Sequence, residues 1–169
     1  MKKISLTTLQ LIIFLSSLIV LGISYYLQYG KGFEPCPLCL MQRLCIIFIL
    51  IVGAINLYNR PIYSKKLIIT QGFLILIGLY FASRQMWLLS LPSNEIPACL
   101  PGLNVLIHYF PWQDTFRALL WGSGDCTEIR WTLFGLSLPS WSALYFLAIG
   151  ITCSLLYFNR HKDFRHINE

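Results

Sequence analysis

Apolar residues along this chain gather into four long runs, at about 6–27, 40–58, 67–89 and 141–158, with Arg84 the one charge set inside the third. Each run has roughly the 17 to 25 residues that a helix needs to cross a hydrocarbon core. Lipid offers no hydrogen bonds, so each run must satisfy its backbone internally and form a helix. The pattern predicts an all-α membrane protein: a four-transmembrane-helix bundle forming a single domain over 1–169, with two outer loops at about 28–39 and 90–140. Within the second loop, Leu103 to Phe110 and an amphipathic stretch around Phe116, Leu119, Leu120 and Trp121 are too apolar for a solvated loop. They are also too interrupted to span, which predicts a segment lying on the membrane surface.

Composition agrees: 56% of the 169 residues are hydrophobic, only 12% are charged and the mean hydropathy is +0.64. That is too apolar for an ordinary soluble domain of this size. The net charge of +6 matters through its placement. Lys2 and Lys3 precede the first run, Arg60, Lys65 and Lys66 separate the second from the third, and Arg160, Lys162 and Arg165 follow the fourth. The opposite side holds Lys31, Arg117 and Arg130. The positive-inside rule therefore puts both termini and the middle loop in the cytoplasm and both long connections outside. The cations flank membrane spans and form no single face, which excludes nucleic acid as the partner. Lys2 and Lys3 with Gly22-Ile23-Ser24 have some features of a cleavable signal, but the apolar stretch continues to Leu27, and retention as a membrane anchor is expected.

The chemistry concentrates at Glu34-Pro35-Cys36-Pro37-Leu38-Cys39-Leu40-Met41-Gln42-Arg43, a CxxC pair at the outer mouth of the second span. Proline suits the first helical turn, so this helix is expected to open inside or just after the motif. One or both thiols then feel the positive end of the helix dipole, which favours the reactive thiolate. Arg43, four residues after Cys39, would stabilise it further from the same helix face. Other readings of the pair fit less well. Zinc wants two such pairs, covalent haem wants a histidine where Leu40 stands, and a thioredoxin-like fold wants strands. A structural disulfide closing so small a loop would restrain little of the unfolded chain.

Near the outer end of the third span, Arg84 and Gln85 fall at a depth similar to Arg43, where a cation is costly unless it has a function or snorkels to the headgroups. Trp87, Leu88 and Leu89 have the character of an interfacial belt, and Gly72 and Gly78 permit close helix packing. Cys99 and Cys126 lie in the second outer loop, partners for each other or for the first pair. Cys126 sits in the glycine-rich Gly122-Ser123-Gly124-Asp125-Cys126, a context that lets a cysteine swing between sulfurs. Cys45 and Cys153 are expected to be inert packed thiols. His108 is expected to be structural, and Ser140 is expected to cap the fourth helix.

Taken together, Cys36-Pro37-Leu38-Cys39, Arg43, and Ser123-Gly124-Asp125-Cys126 with Trp131 and Gly135 resemble the DsbB family of disulfide-bond-forming membrane proteins over nearly the whole chain. The resemblance implies a thiol:quinone oxidoreductase of the bacterial inner membrane, with redox-active disulfides Cys36/Cys39 and Cys99/Cys126. It also implies a reduced DsbA-like periplasmic thiol oxidase as partner, and a membrane quinone, ubiquinone or menaquinone, as electron sink. On that pattern the partner attacks Cys99, Cys126 is displaced onto Cys36, and Cys39 is left as a thiolate beside Arg43 and the quinone. Arg84 and Gln85 are added here as further quinone contacts. Two rival classes are a non-enzymatic four-span protein whose loops are stapled by structural disulfides, and a carrier moving electrons outward through cysteines inside the spans.

Overall fold

Each apolar run folds as a helix of membrane-crossing length. A computed structural model of the protein describes residues 5–32, 35–58, 64–92, 108, 111–127 and 132–167. Helix α1 (Leu6–Tyr25) continues into a π-helical turn (Tyr26–Gly30), followed by α2 (Pro37–Tyr58) and α3 (Lys65–Leu89). In the second outer loop a short helix α4 (Trp112–Trp121) leads to a 3-10 turn (Gly124–Thr127). A two-stranded hairpin of β1 (Thr132–Leu133) and β2 (Leu136–Ser137) then enters α5 (Leu138–Ile167). Among the described residues, four segments are long and apolar enough to cross a membrane: Leu6–Gly30, Pro37–Tyr58, Lys65–Leu89 and Leu138–Arg160. At 1.5 Å of rise per residue, the 22 residues of α2 reach roughly 33 Å, matching a core of about 30 Å.

Two helix starts differ instructively from the apolar runs. Helix α2 opens at Pro37, inside the CxxC, because proline has no N–H to lose in the first turn. Helix α5 opens at Leu138, so Pro139 again falls in a first turn. Ser140, expected as the cap, lies inside this helix, where its hydroxyl meets that of Ser137 at 3.0 Å. The hairpin was not expected from the sequence. Its turn places Phe134 and Gly135 at φ 53° and 78°, the pair of left-handed residues that a two-residue hairpin turn requires.

The four long helices close a ring in which α3 packs on α2 and α5, and α1 on α2 and α5. Ile13, Ile49, Ile68, Phe146 and Leu156 are among its buried residues, while Ile19, Phe73, Leu76 and Ile151 face outward where lipid would be. Because lipid tails are as apolar as these side chains, close packing and hydrogen bonds carry the association. Gly78 supplies the closest approach: a Cβ there would stand 2.3 Å from Cε1 of Phe146. Gly72 meets Cys153 Sγ only at ordinary contact distance, 3.9 Å, so close packing does not depend on it. Buried amides tie three helices together, Gln10 Nε2 donating to Gln71 Oε1 (3.3 Å) and Gln71 Nε2 to the Ile49 carbonyl (3.5 Å). Cys45 and Cys153 are buried within α2 and α5.

Candidate functional site

The start of α2 builds the site. Cys36 immediately precedes Pro37, its carbonyl accepts from Leu40 N at 3.1 Å, and its sulfur accepts from Cys39 N at 3.4 Å. The Cys36 side chain thus satisfies one of the unpaired N–H groups of the first turn, as a serine or aspartate cap would. The same geometry turns the two sulfurs toward each other, Cys36 Sγ–H donating to Cys39 Sγ at 2.9 Å. A disulfide, at about 2.05 Å between sulfurs, is a short movement away.

A pair of glutamines surrounds the dithiol. Gln85 Nε2 of α3 donates to Cys39 Sγ at 3.3 Å and to Cys36 Sγ at 3.4 Å, and its Oε1 accepts from Cys39 Sγ at 3.6 Å. Gln42, one turn past Cys39 and buried, donates to that Oε1 at 2.9 Å. The sequence motif contains Gln42 but does not by itself mark it as part of the site. Its signal was a polar residue in the inward stripe of Leu38, Cys45, Ile46, Ile49 and Gly53, which repeats every three or four positions.

The second outer loop adds a third thiol. Helix α4 lies against α2 and the following 3-10 turn against α3. In that turn Cys126 N donates to the Ser123 carbonyl at 3.0 Å, and Cys126 is 2% exposed. Its thiol lies close enough to Cys36 to interact with it. That interaction, then the bond with Cys39, then burial, push the Cys36 thiol well above the ordinary thiol range. A helix-dipole argument alone would lower a thiol here, but the single S–H of Cys36 is held by Cys39 Sγ. Of the four cysteines singled out in the sequence, the structure brings Cys36, Cys39 and Cys126 together; Cys99 lies outside the described residues.

The two arginines point in different directions. Arg43 reaches back to α1: Nε donates to Ser24 Oγ (2.6 Å), Nη2 to the Ser24 carbonyl (3.1 Å) and Nη1 to Gln28 Oε1 in the π-helical turn. Its guanidinium carbon lies 5.4 Å from the centre of the Tyr25 ring. Arg84 reaches α4. Its Nε donates to the Trp121 carbonyl at the end of α4 (3.3 Å), and its guanidinium stacks over Trp87 at 4.1 Å. His108 is exposed.

The family model for "Disulfide bond formation protein DsbB" matches residues 7–156. Disulfide bond formation protein B of Stutzerimonas stutzeri is 35% identical over 159 residues, covering 90% of this chain and 95% of the relative. The protein of the same name from Hahella chejuensis is 34% identical, covering 92% and 95%. Disulfide bond formation protein B 1 of Pseudomonas aeruginosa is 40% identical, covering 82% and 86%.

Proposed function

The chain belongs to the DsbB family of disulfide bond formation proteins, a multi-pass membrane family, and on that premise we propose that it is a thiol:quinone oxidoreductase of the bacterial inner membrane. Both termini lie in the cytoplasm. Its substrate is a reduced, DsbA-like periplasmic dithiol oxidase, and its electrons pass to a membrane quinone. The observation that carries this reading is the packing of the second outer loop on the CxxC motif: Gly122 closes on Leu38, and Cys126 is buried in the same core cluster that Cys36 packs against. Thiol exchange proceeds sulfur to sulfur, so a relay between two loops needs their cysteines in contact.

The relay starts from disulfides Cys99/Cys126 and Cys36/Cys39. A partner thiolate attacks Cys99, forming a mixed disulfide and releasing Cys126 as thiolate. Cys126 attacks Cys36, forming an interloop disulfide and releasing Cys39 as thiolate. The second partner thiol then resolves the mixed disulfide, leaving the partner oxidised. Return of Cys36 to Cys39, and of Cys126 to Cys99, restores the enzyme after two electrons and two protons have left.

A membrane quinone accepts two electrons and two protons and presents two carbonyl oxygens on a flat ring. The residues at the outer margin suit that headgroup. Arg43 has three of its five N–H groups engaged by α1 and the π-helical turn, which fixes the guanidinium and leaves donors for a carbonyl. Gln85 places a second amide donor beside the sulfurs, and Tyr25 supplies an aromatic face. The reading is tested by following quinone absorbance in detergent after adding a reduced thioredoxin-like partner, with Cys99→Ser alongside. Turnover lost in the variant is expected. Absence of turnover with ubiquinone, menaquinone or any partner would return the chain to a scaffold stapled by structural disulfides.

A further inference from the structure

The end of α4 is held against the CxxC motif, and two of its contacts bear on where the turn carrying Cys126 sits. Gly122, which follows α4, has φ 83° and ψ 169°, a backbone region open essentially to glycine alone. A Cβ there would stand 2.6 Å from Leu88 Cδ1 and 2.8 Å from Leu38 Cδ1, and Leu38 is one of the two residues between Cys36 and Cys39. Both leucines are fully buried, so neither has open space into which to retreat. Beside this seat, Arg84 donates to the Trp121 carbonyl, one of the last carbonyls of α4, which lack partners within the helix. A cation there also meets the negative end of the helix dipole, and stacking on Trp87 keeps the guanidinium aimed.

We infer that Gly122 and Arg84 are positioning residues, a seat and a latch that hold the second outer loop on Leu38 and so present Cys126 to Cys36 at high effective concentration. Arg84 thereby acts on the loop and not on the quinone. From the latched Trp121 the chain passes through Gly122 and the buried Ser123 to the turn that carries Cys126. Loosening either contact lets that turn sample positions from which Cys126 cannot meet Cys36, which lowers the effective concentration without touching a sulfur.

The inference rests on the relay proposed above, but its test needs neither quinone nor partner. In full-length protein carrying Cys39→Ser and Cys99→Ser, Cys36 and Cys126 are equilibrated with glutathione, two thiols and one glutathione disulfide giving one interloop disulfide and two glutathiones. The disulfide-to-dithiol ratio is read by alkylation and mass spectrometry. In this background Arg84→Ala is expected to lower the ratio about tenfold, Arg84→Lys to recover part of the loss, and Gly122→Ala to lower it at least as far. In the protein with all its cysteines, Arg84→Ala is expected to leave the quinone KM unchanged while kcat with the thiol partner falls. An unchanged ratio in the Arg84 variants, or a raised quinone KM with the ratio intact, would overturn the inference. If no variant reduces quinone but the ratios move as expected, the latch stands and the oxidoreductase reading fails. Should Gly122→Ala not fold, the two Arg84 variants carry the test.

Discussion

Leu38, within the CxxC, and Gly122, at the end of the loop helix, meet so closely that a Cβ on Gly122 would stand 2.8 Å from Leu38 Cδ1. Leu38 is therefore both a core residue and the floor on which the second loop rests. Leu38→Ala is expected to destabilise the protein by about 2–5 kcal/mol, the usual cost of emptying a buried leucine site. Thermal unfolding in detergent would show the lower midpoint. In reduced protein Cys126 should also become more open to alkylation, and an unchanged Cys126 would mean that the loop does not rest there.

Arg43 joins α2 to Ser24 of α1 and to Gln28 of the π-helical turn, and two of its five N–H groups remain for a ligand. Arg43→Leu is expected to raise the apparent quinone KM about tenfold, roughly the 1.4 kcal/mol of one charge-assisted hydrogen bond, while partner attack at Cys99 continues. Initial rates across quinone concentrations, with mixed-disulfide trapping in parallel, check both halves. Unchanged quinone kinetics would remove Arg43 from the site.

Four helices could be read from the runs of apolar residues because lipid makes the requirement one-dimensional: enough apolar length, with the backbone satisfied inside the segment. The opening of α2 inside the motif was readable too, since Pro37 has few other places in a helix. Azimuth was not. Arg84 and Gln85 sit at one depth, yet neighbours on a helix point about 100° apart. Gln85 faces the sulfurs and Arg84 faces α4. Arg43 stands one turn past Cys39, where the spacing suggests a cation beside the thiolate, but its length carries the guanidinium across to Ser24 and Gln28. The hairpin before α5 was hidden because its turn sets Phe134, not asparagine or glycine, at positive φ.

The raised Cys36 thiol gives a pH dependence. In reduced protein Cys36 should resist iodoacetamide at pH 8.5, where an ordinary thiol is about half ionised, and react only at more alkaline pH. Cys126→Ala removes the largest cause and should move the alkylation profile to lower pH. The sign for stability follows: the folded state binds this proton more tightly, so the contribution is complete below about pH 8.5 and is lost as pH rises through the folded value. Peptide mapping after timed alkylation tests the profile, and a Cys36 that alkylates like a free thiol would contradict it.

Two glycines of α3 separate packing from mere presence. Gly78→Ala places a Cβ 2.3 Å from the Phe146 ring and is expected to cost about 1–3 kcal/mol, as over-packing does. Gly72→Ala meets only Cys153 Sγ at 3.9 Å and should leave the unfolding midpoint nearly unchanged. Adding Phe146→Leu should recover part of the Gly78→Ala loss. Equal effects at the two glycines would show that the Phe146 contact does not set the α3–α5 packing.

The most direct measurement isolates the electron exit. Protein carrying Cys99→Ser and Cys126→Ser, with the Cys36/Cys39 dithiol prereduced, is mixed with membrane quinone in detergent, and quinone absorbance and the Cys36/Cys39 disulfide are read together. About one equivalent of quinone reduced per chain, with one new Cys36–Cys39 disulfide, is the expected result, since forming one disulfide from a dithiol releases two electrons and two protons. Quinone left oxidised while the dithiol persists would contradict the proposal that this site delivers electrons to the membrane.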